Sequence, residues 1–491
     1  MKAILAIDQG TTSSRTVVVG EDGRILHTAQ EEFPQHYPRE GWVEHDPDDI
    51  WNTVHRTLTD CVAWCAASGV DPQAIGITNQ RETTLVWDRS TGEPIHNAIV
   101  WQDRRTAKTC RELADHEDDV RARTGLLMDP YFSATKIAWI LDHTGSRDRA
   151  EAGELAYGTV DTYLIWKLTE GAVHATDATN ASRTNLFDIH AQEWSGELCG
   201  LFGVPVPDVD GAGLADVRDC AADYGSASVL DTPLPILGVA GDQHAALIGQ
   251  TGFAEGDIKA TYGTGAFVVL NTGATAVTSD NRLLGTVAYR LDGEVTYGLE
   301  GSIFMAGAAV QWLRDGLGII ETSAETEELM AEADPDSGVV MVPAFTGLGA
   351  PHWDPDARAS LSGMTRGTTR ADIARATVDS VAFQTADLFE AMARDGFRPG
   401  HLYVDGGMSA NDAFCQSLAD ILDVPVSRPD ILETTALGAA YLAGLQCGLF
   451  ASLDDLPYRV DREWEPAMSK ETRTRRLLRW SDAVERVITK E

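Results

Sequence analysis

No run of apolar residues approaches the ~18 that a membrane-spanning helix requires, so a helical membrane protein is excluded. The apolar stretch Ala3–Ile7 is too short for the core of a signal peptide, and a cytoplasmic location is expected. Cysteine is sparse: seven residues, no Cys-x-x-Cys and no metal-ligand spacing. A disulfide framework and a structural zinc site are thereby excluded, and the odd count implies reduced thiols. Lysine is scarcer still, seven residues against 75 Asp and Glu, and the formal net charge is −36. Such a surface repels nucleic acid and anionic membranes, so neither is expected as a partner. The common nucleotide signatures are missing as well. There is no Gly-Lys dipeptide and hence no P-loop, no G-x-G-x-x-G, and no H-E-x-x-H.

The remaining composition is that of a globular protein, 43% apolar and 23% charged over 491 residues. A chain this long outgrows one core, and two domains of roughly 240 residues each are expected. Strand and helix patterns alternate throughout, which indicates α/β layers. DPDDIWNTVHRTLTDCVAWCAASG reads as a helix with Asp46 as N-cap, Pro47 in the first turn and Gly69 at its end; Cys61 and Cys65 lie on its apolar face. IGITNQ, TTLVWD and IVWQDRR read as successive strands, and the Arg/Glu-rich segment beyond Met468 reads as a solvated helix.

Two stretches share a layout. In ILAIDQGTTSSRTVVV and again in IKATYGTGAFVVL, an apolar strand meets a Gly/Thr tip and returns as a second strand. Such a tip offers N–H and hydroxyl donors to an anion, and the adjacent Asp8 is suited to a cation. The echo predicts an internally duplicated architecture of two α/β halves facing one cleft, 1–250 and 251–491. Asp8, Asp242 and Asp405 each end an apolar strand, where open α/β sheets bind ligands.

The motifs DQGTTSSR, GITNQRETT, IVWQDRR, DPYFSATK, GTVDTYLIWKLT, TDATNASRTNLFDI, AGDQHAA, TYGTGAF, FMAGAAVQWLRD, VPAFTGLGAPHWD and VDGGMSAND, in this order from about residue 3 to about 465, resemble those of glycerol kinases. These are FGGY carbohydrate kinases of the actin/hexokinase/heat-shock ATPase superfamily. The resemblance implies two actin-like (ribonuclease H-like) domains and ATP-dependent phosphorylation of glycerol, with Mg²⁺. By it, Arg81, Glu82, Tyr131, Asp242 and Gln243 bind the glycerol hydroxyls, Trp101 and Phe267 pack on its carbons, and Asp242 is the general base. Thr11, Thr12, Ser13 and Arg15 grip phosphates and Asp8 holds Mg²⁺. Thr264 faces them from the second domain, and Gly307, Gln311, Gly407 and Asn411 line the nucleoside. Asp405 is expected to orient the second hairpin without chemistry of its own. A homo-oligomer, dimer or tetramer, is also implied. Another polyol or sugar kinase of the family, such as a pentulose kinase, is the alternative. An actin-like non-kinase ATPase would leave Arg81, Glu82, Tyr131 and Asp242 without a purpose.

The charge balance yields a prediction. Self-repulsion among so many carboxylates opposes compaction unless salt screens it, and the screening length falls from about 10 Å at 0.1 M to about 3 Å at 1 M. The thermal unfolding midpoint is therefore expected to rise between those two salt concentrations. An unchanged midpoint would remove the inference of adaptation to high internal salt.

Overall fold

The computed structural model describes residues 1–208, 212–335, 337–354 and 356–489. Two sheets dominate it. The first is built from β1 (Lys2–Gln9), β2 (Ser13–Gly20), β3 (Ile25–Glu32), β4 (Asp71–Asn79), β5 (Ser226–Ala227) and β6 (Leu234–Gly241), in the order β5-β6-β4-β1-β2-β3. The second contains β7 (Asp257–Tyr262), β8 (Ala266–Gly273), β9 (Leu284–Leu291), β10 (Glu294–Ile303), β11 (His401–Asp405), β12 (Val426–Pro429) and β13 (Val460–Trp464), in the order β9-β10-β8-β7-β11-β12-β13. In each sheet an antiparallel hairpin (β1–β2, β7–β8) leads into two parallel strands (β4 and β6, β11 and β12). The duplication expected from the two Gly/Thr stretches is thus present in the strand order.

Each sheet carries a long helix on its outer face: α1 (Pro47–Ser68) on the first and α4 (Arg370–Arg394) on the second. The Asp46 carboxylate caps α1 and Gly69 ends it in the left-handed conformation at φ 67°, as its sequence predicts. Between the sheets lie α2 (Asp242–Gly249), which follows β6, and α6 (Thr434–Gln446), which follows β12. The two pack against each other and share one apolar core with the facing surfaces of both sheets. Their chain connections are exchanged: α6 lies on β1, β4 and β6, while α2 reaches β7 and β8.

Glycine makes that exchange possible. A Cβ on Gly438 of α6 would lie 1.8 Å from the Ala245 carbonyl oxygen, and one on Gly249 of α2 would lie 2.0 Å from that of Thr434. On the sheet below, Gly76 and Gly238 are register neighbours, and their Cβ atoms would meet the backbone of α6 at 2.1 and 2.5 Å. The helices therefore touch backbone to backbone, with no side chain between them.

Two sequence expectations are corrected. Of IVWQDRR only Ile99 belongs to a strand, the two-residue Ala98–Ile99; the residues after it leave the ladder, because Asp103 accepts from the amides of Val43 and Arg105 instead. The C-terminal helix α7 (Lys470–Glu485) is not simply solvated. Its Trp480 is buried, stacked on Phe383 of α4 at 5.4 Å between ring centroids, and donates to Asp387 at 2.9 Å.

Gly438→Ala is expected to lower unfolding free energy by about 3 kcal/mol, since the clash is with backbone that cannot step aside. Gly200→Ala, in the helix Gly196–Phe202 where a Cβ meets nothing within 4 Å, is the control and should be neutral or stabilising. Urea unfolding of the two variants checks the contrast.

Candidate active site

The strand ends of both sheets open onto the same cleft. The tip between β1 and β2 presents Thr11 and Ser13 partly accessible and Thr12 exposed, with Asp8 just below it. Opposite stands the tip between β7 and β8, with Thr264 exposed. Burial pushes the Asp8 carboxyl up to about 6; Arg15 works against that rise and the nearby Asp242 adds to it. Arg15 itself pairs with Glu433, just before α6, across the cleft.

A second group of residues comes from the segment that joins β4 to β5; three strands of that segment (Thr84–Asp88, Ala98–Ile99, Leu155–Thr159) form a small sheet with Glu44–His45, which precedes α1. Arg81 and Glu82 follow directly on β4 and are fully buried, Glu82 in the left-handed region at φ 58°. That strained carbonyl is held by Lys136 Nζ at 3.3 Å and Ser133 Oγ at 3.2 Å, and Lys136 also donates to the Tyr131 carbonyl at 2.7 Å. Burial lowers the Lys136 ammonium to about 7. Sequence reasoning passed over Lys136, although it stands in the quoted DPYFSATK motif.

Arg81 Nε lies 3.1 Å from Asp242 Oδ1, and Asp242 retains 33% side-chain exposure at the N-terminus of α2. The other edge of Arg81 meets Glu300 of β10 in a fork, at 2.5 and 3.1 Å. Glu300 also accepts from Arg183 at 3.0 Å, and Arg183 donates to Glu82 at 2.7 Å. Burial alone would raise the Glu300 carboxyl; Arg183 and Arg81 overcome it and hold it below the usual range. Burial raises Glu82 in spite of its two arginines. Sequence reasoning also missed Glu300 and Arg183, because neither adjoins another expected site residue along the chain.

Three rings form one wall. Trp101 meets Tyr131 edge-on at 5.7 Å and Phe267 at 5.9 Å, and its Nε1 donates to Thr11 Oγ1 at 3.1 Å. Phe267 belongs to β8, so both halves contribute to the wall. Gln243 accepts from Lys259 Nζ at 2.6 Å, which fixes its amide beside Asp242.

The remaining expected residues lie on the second half. Gly307 begins α3 (Gly307–Asp315), where a Cβ would stand 2.6 Å from the Gly263 carbonyl oxygen, and Gln311 is exposed on that helix. Nothing lies within 4 Å of a Cβ on Gly407. Asn411 caps α5 (Asp412–Leu422), accepting from the Phe414 amide at 2.9 Å and donating to Thr326 at 3.1 Å, so its amide is committed within the protein. Asp405 accepts from Gln250 at 2.5 Å and from Thr434. Its side chain therefore ties the end of α2 to the start of α6, while its backbone pairs with Thr261 at the base of the second hairpin. Among the described residues no cluster of three or more His, Cys, Asp or Glu forms a ready-made metal cage.

Residues 3–249 match the N-terminal domain of the FGGY family of carbohydrate kinases, and residues 258–447 match its C-terminal domain. The chain is 59% identical over 490 residues to the glycerol kinase of Rhodospirillum centenum, covering 98% of this chain and 97% of that one. It is 55% identical over 492 residues to that of Alteromonas mediterranea, with 99% of each covered. The crystal structure of Plasmodium falciparum glycerol kinase with ADP superposes with a TM-score of 0.94 at 36% identity, over 100% of this chain and 99% of that one. The xylulose kinase of Rhodospirillum rubrum, at 22% identity, shares the fold with a TM-score of 0.86 over 99% of this chain and 98% of that one. By both its domains and its full-length relatives, the chain belongs to the FGGY family of carbohydrate kinases.

Proposed function

We propose that the protein transfers the γ-phosphoryl group of ATP to a terminal hydroxyl of glycerol, giving sn-glycerol 3-phosphate and ADP. One observation carries this reading: a buried guanidinium, a partly open carboxylate and an aromatic wall built from both halves converge beside a Gly/Thr hairpin tip. A small uncharged triol needs that combination of directed hydrogen bonds and apolar contact. The full-length similarity to glycerol kinases supports the same substrate.

In this reading residues 1–250 bind glycerol and phosphate, and residues 251–491 bind the adenine nucleotide. Arg81, Glu82, Tyr131, Asp242 and Gln243 hold the hydroxyls, and Trp101 and Phe267 take the carbon edge. Asp242 accepts the proton of the attacking hydroxyl, which its remaining exposure leaves it free to do. Burial holds the Tyr131 phenol well above its ordinary range, so it stays a neutral donor. Thr11, Thr12, Ser13 and Arg15 grip the phosphates, with Arg15 exchanging Glu433 for the nucleotide. Thr264 meets them from the opposite tip, and Gly307, Gln311, Gly407 and the backbone at Asn411 line the nucleoside.

The acids at the cleft floor fit a divalent cation, because burial and the nearby Asp242 make Asp8 costly to ionise and a positive charge beside it relieves that cost. Asp8 would hold Mg²⁺ through its water shell, together with the phosphates. The ion supplies charge neutralisation on the transferring group.

A coupled ADP-release assay with Mg-ATP, run on glycerol, xylulose, ribulose and gluconate, is the test. Turnover on glycerol is expected, falling by about 10²–10⁴ in Asp242→Asn. Faster turnover on a sugar would move the protein to another branch of the family. ADP release that needs no acceptor and survives the substitution would end the kinase reading.

A further inference from the structure

Strand periodicity places Glu300 where it acts. In β10 it is the register partner of Val269, two residues along β8 from Phe267, so Glu300 and Phe267 share the face that looks across at α2. The carboxylate is completely buried, and the three donors it receives all come from the other half, two from Arg81 and one from Arg183. The result is a chain of five charged groups, Glu82–Arg183–Glu300–Arg81–Asp242, that crosses between the halves.

Within that chain Arg81 meets three acids, but Glu82 lies 4.0 Å away with its Oε1 already accepting from Arg183, which leaves Glu300 and Asp242 to compete for the guanidinium. Its fork of Nη1 and Nη2 is spent on Glu300, and only Nε reaches Asp242. A guanidinium prefers a two-point contact with a carboxylate, and without Glu300 the available one is Asp242. Both oxygens of Asp242 would then carry a guanidinium contact, Oδ1 in addition to the Gln243 amide it accepts from at 2.7 Å, so fewer of its lone pairs and less of its basicity would remain for a substrate hydroxyl. Arg81 and Arg183 would also lose the acid they share, leaving between them only Glu82, at 2.7 Å from Arg183 Nε and 4.0 Å from Arg81 Nε.

We propose that Glu300 is a positioning residue for phosphoryl transfer: by taking the Arg81 fork it keeps Asp242 open to the substrate and holds Arg81 at the hydroxyl-binding edge. This rests on the reading of the cleft as the polyol site. Because acid and arginines come from opposite halves, the hydroxyl-binding geometry is complete only with the halves in the arrangement seen here.

The test compares wild type, Glu300→Gln and Glu300→Asp by steady-state kinetics on glycerol and by calorimetric binding of Mg-ADP. In Glu300→Gln the glycerol KM is expected to rise by about 10-fold or more, as for loss of a charge-assisted contact. kcat should fall by about 10²-fold, as for misplacement of a reacting group, with Mg-ADP affinity within about two-fold of wild type. Glu300→Asp keeps the charge with a shorter reach and should recover part of both losses. Wild-type kinetics in Glu300→Gln would overturn the proposal. So would a parallel loss of Mg-ADP binding and activity in both variants, which is what a purely structural role produces. If wild type phosphorylates xylulose or gluconate instead of glycerol, the substrate assignment fails, and the same comparison on that acceptor still decides the role of Glu300.

Discussion

The backbone-to-backbone crossing of α2 and α6 is the constraint from which the rest of the molecule follows. With Gly249 and Gly438 facing opposing carbonyls, and Gly76 and Gly238 flattening the sheet beneath, the two helices occupy the space of little more than their own main chains. The two sheets are drawn together accordingly, with their hairpin tips opening onto one cleft. Side chains of ordinary length then span the gap. Arg81 reaches Glu300, Gln243 meets Lys259, and Trp101 touches Phe267. Asp405, joined to Gln250 and Thr434, fastens the same crossing at its cleft end.

So close an approach places charge where water does not reach, and the site is organised around that cost. A buried ion is tolerable when paired and hydrogen-bonded, and two arginines alternating with three acids satisfy most of their donors and acceptors in this way. Within this five-group network Arg183 Nη1 has no partner among the described residues. His244, beside Asp242 in sequence, is held far below its ordinary range by burial and the surrounding cations, so it remains a neutral packing residue bonded to Thr286. Pairing of this kind contributes little net stability, but it fixes each guanidinium in one orientation, which is what recognition of a small polyol requires.

Much of this was legible in the sequence, for identifiable reasons. The strand–tip–strand layout around Asp8 recurred around Thr264, and the strand order of the two sheets repeats to match. The capping residues of α1 lay at their proper spacing. Arg81, Asp242 and the three rings were marked by motif, and the structure brings them together. Glu300 was not legible, because it stands in GLEGSI, an alternating strand in which a lone acid reads as the solvent-facing position. Only the opposite sheet shows that this face is interior. The short life of the strand in IVWQDRR and the docking of Trp480 were hidden for a related reason. In each, contacts to distant residues, Val43 in the first and Phe383 in the second, override the local pattern.

The same division between surface and interior separates two effects of charge. The excess of acid that gives −36 is spread over a solvated exterior, where salt at molar strength shortens its reach to about 3 Å. The cations around the hydroxyl-binding edge are few and sealed: Arg81, Arg183, Lys136 and Lys259 are all buried. Their partners lie in direct contact, closer than any ion atmosphere can intervene. Two of the chain's seven lysines are spent here, where burial lowers both ammonium groups and each is held by oxygen acceptors. Salt therefore acts on how strongly the halves and their surfaces repel, while the geometry that orients Arg81 and Asp242 is set by contacts that salt does not weaken.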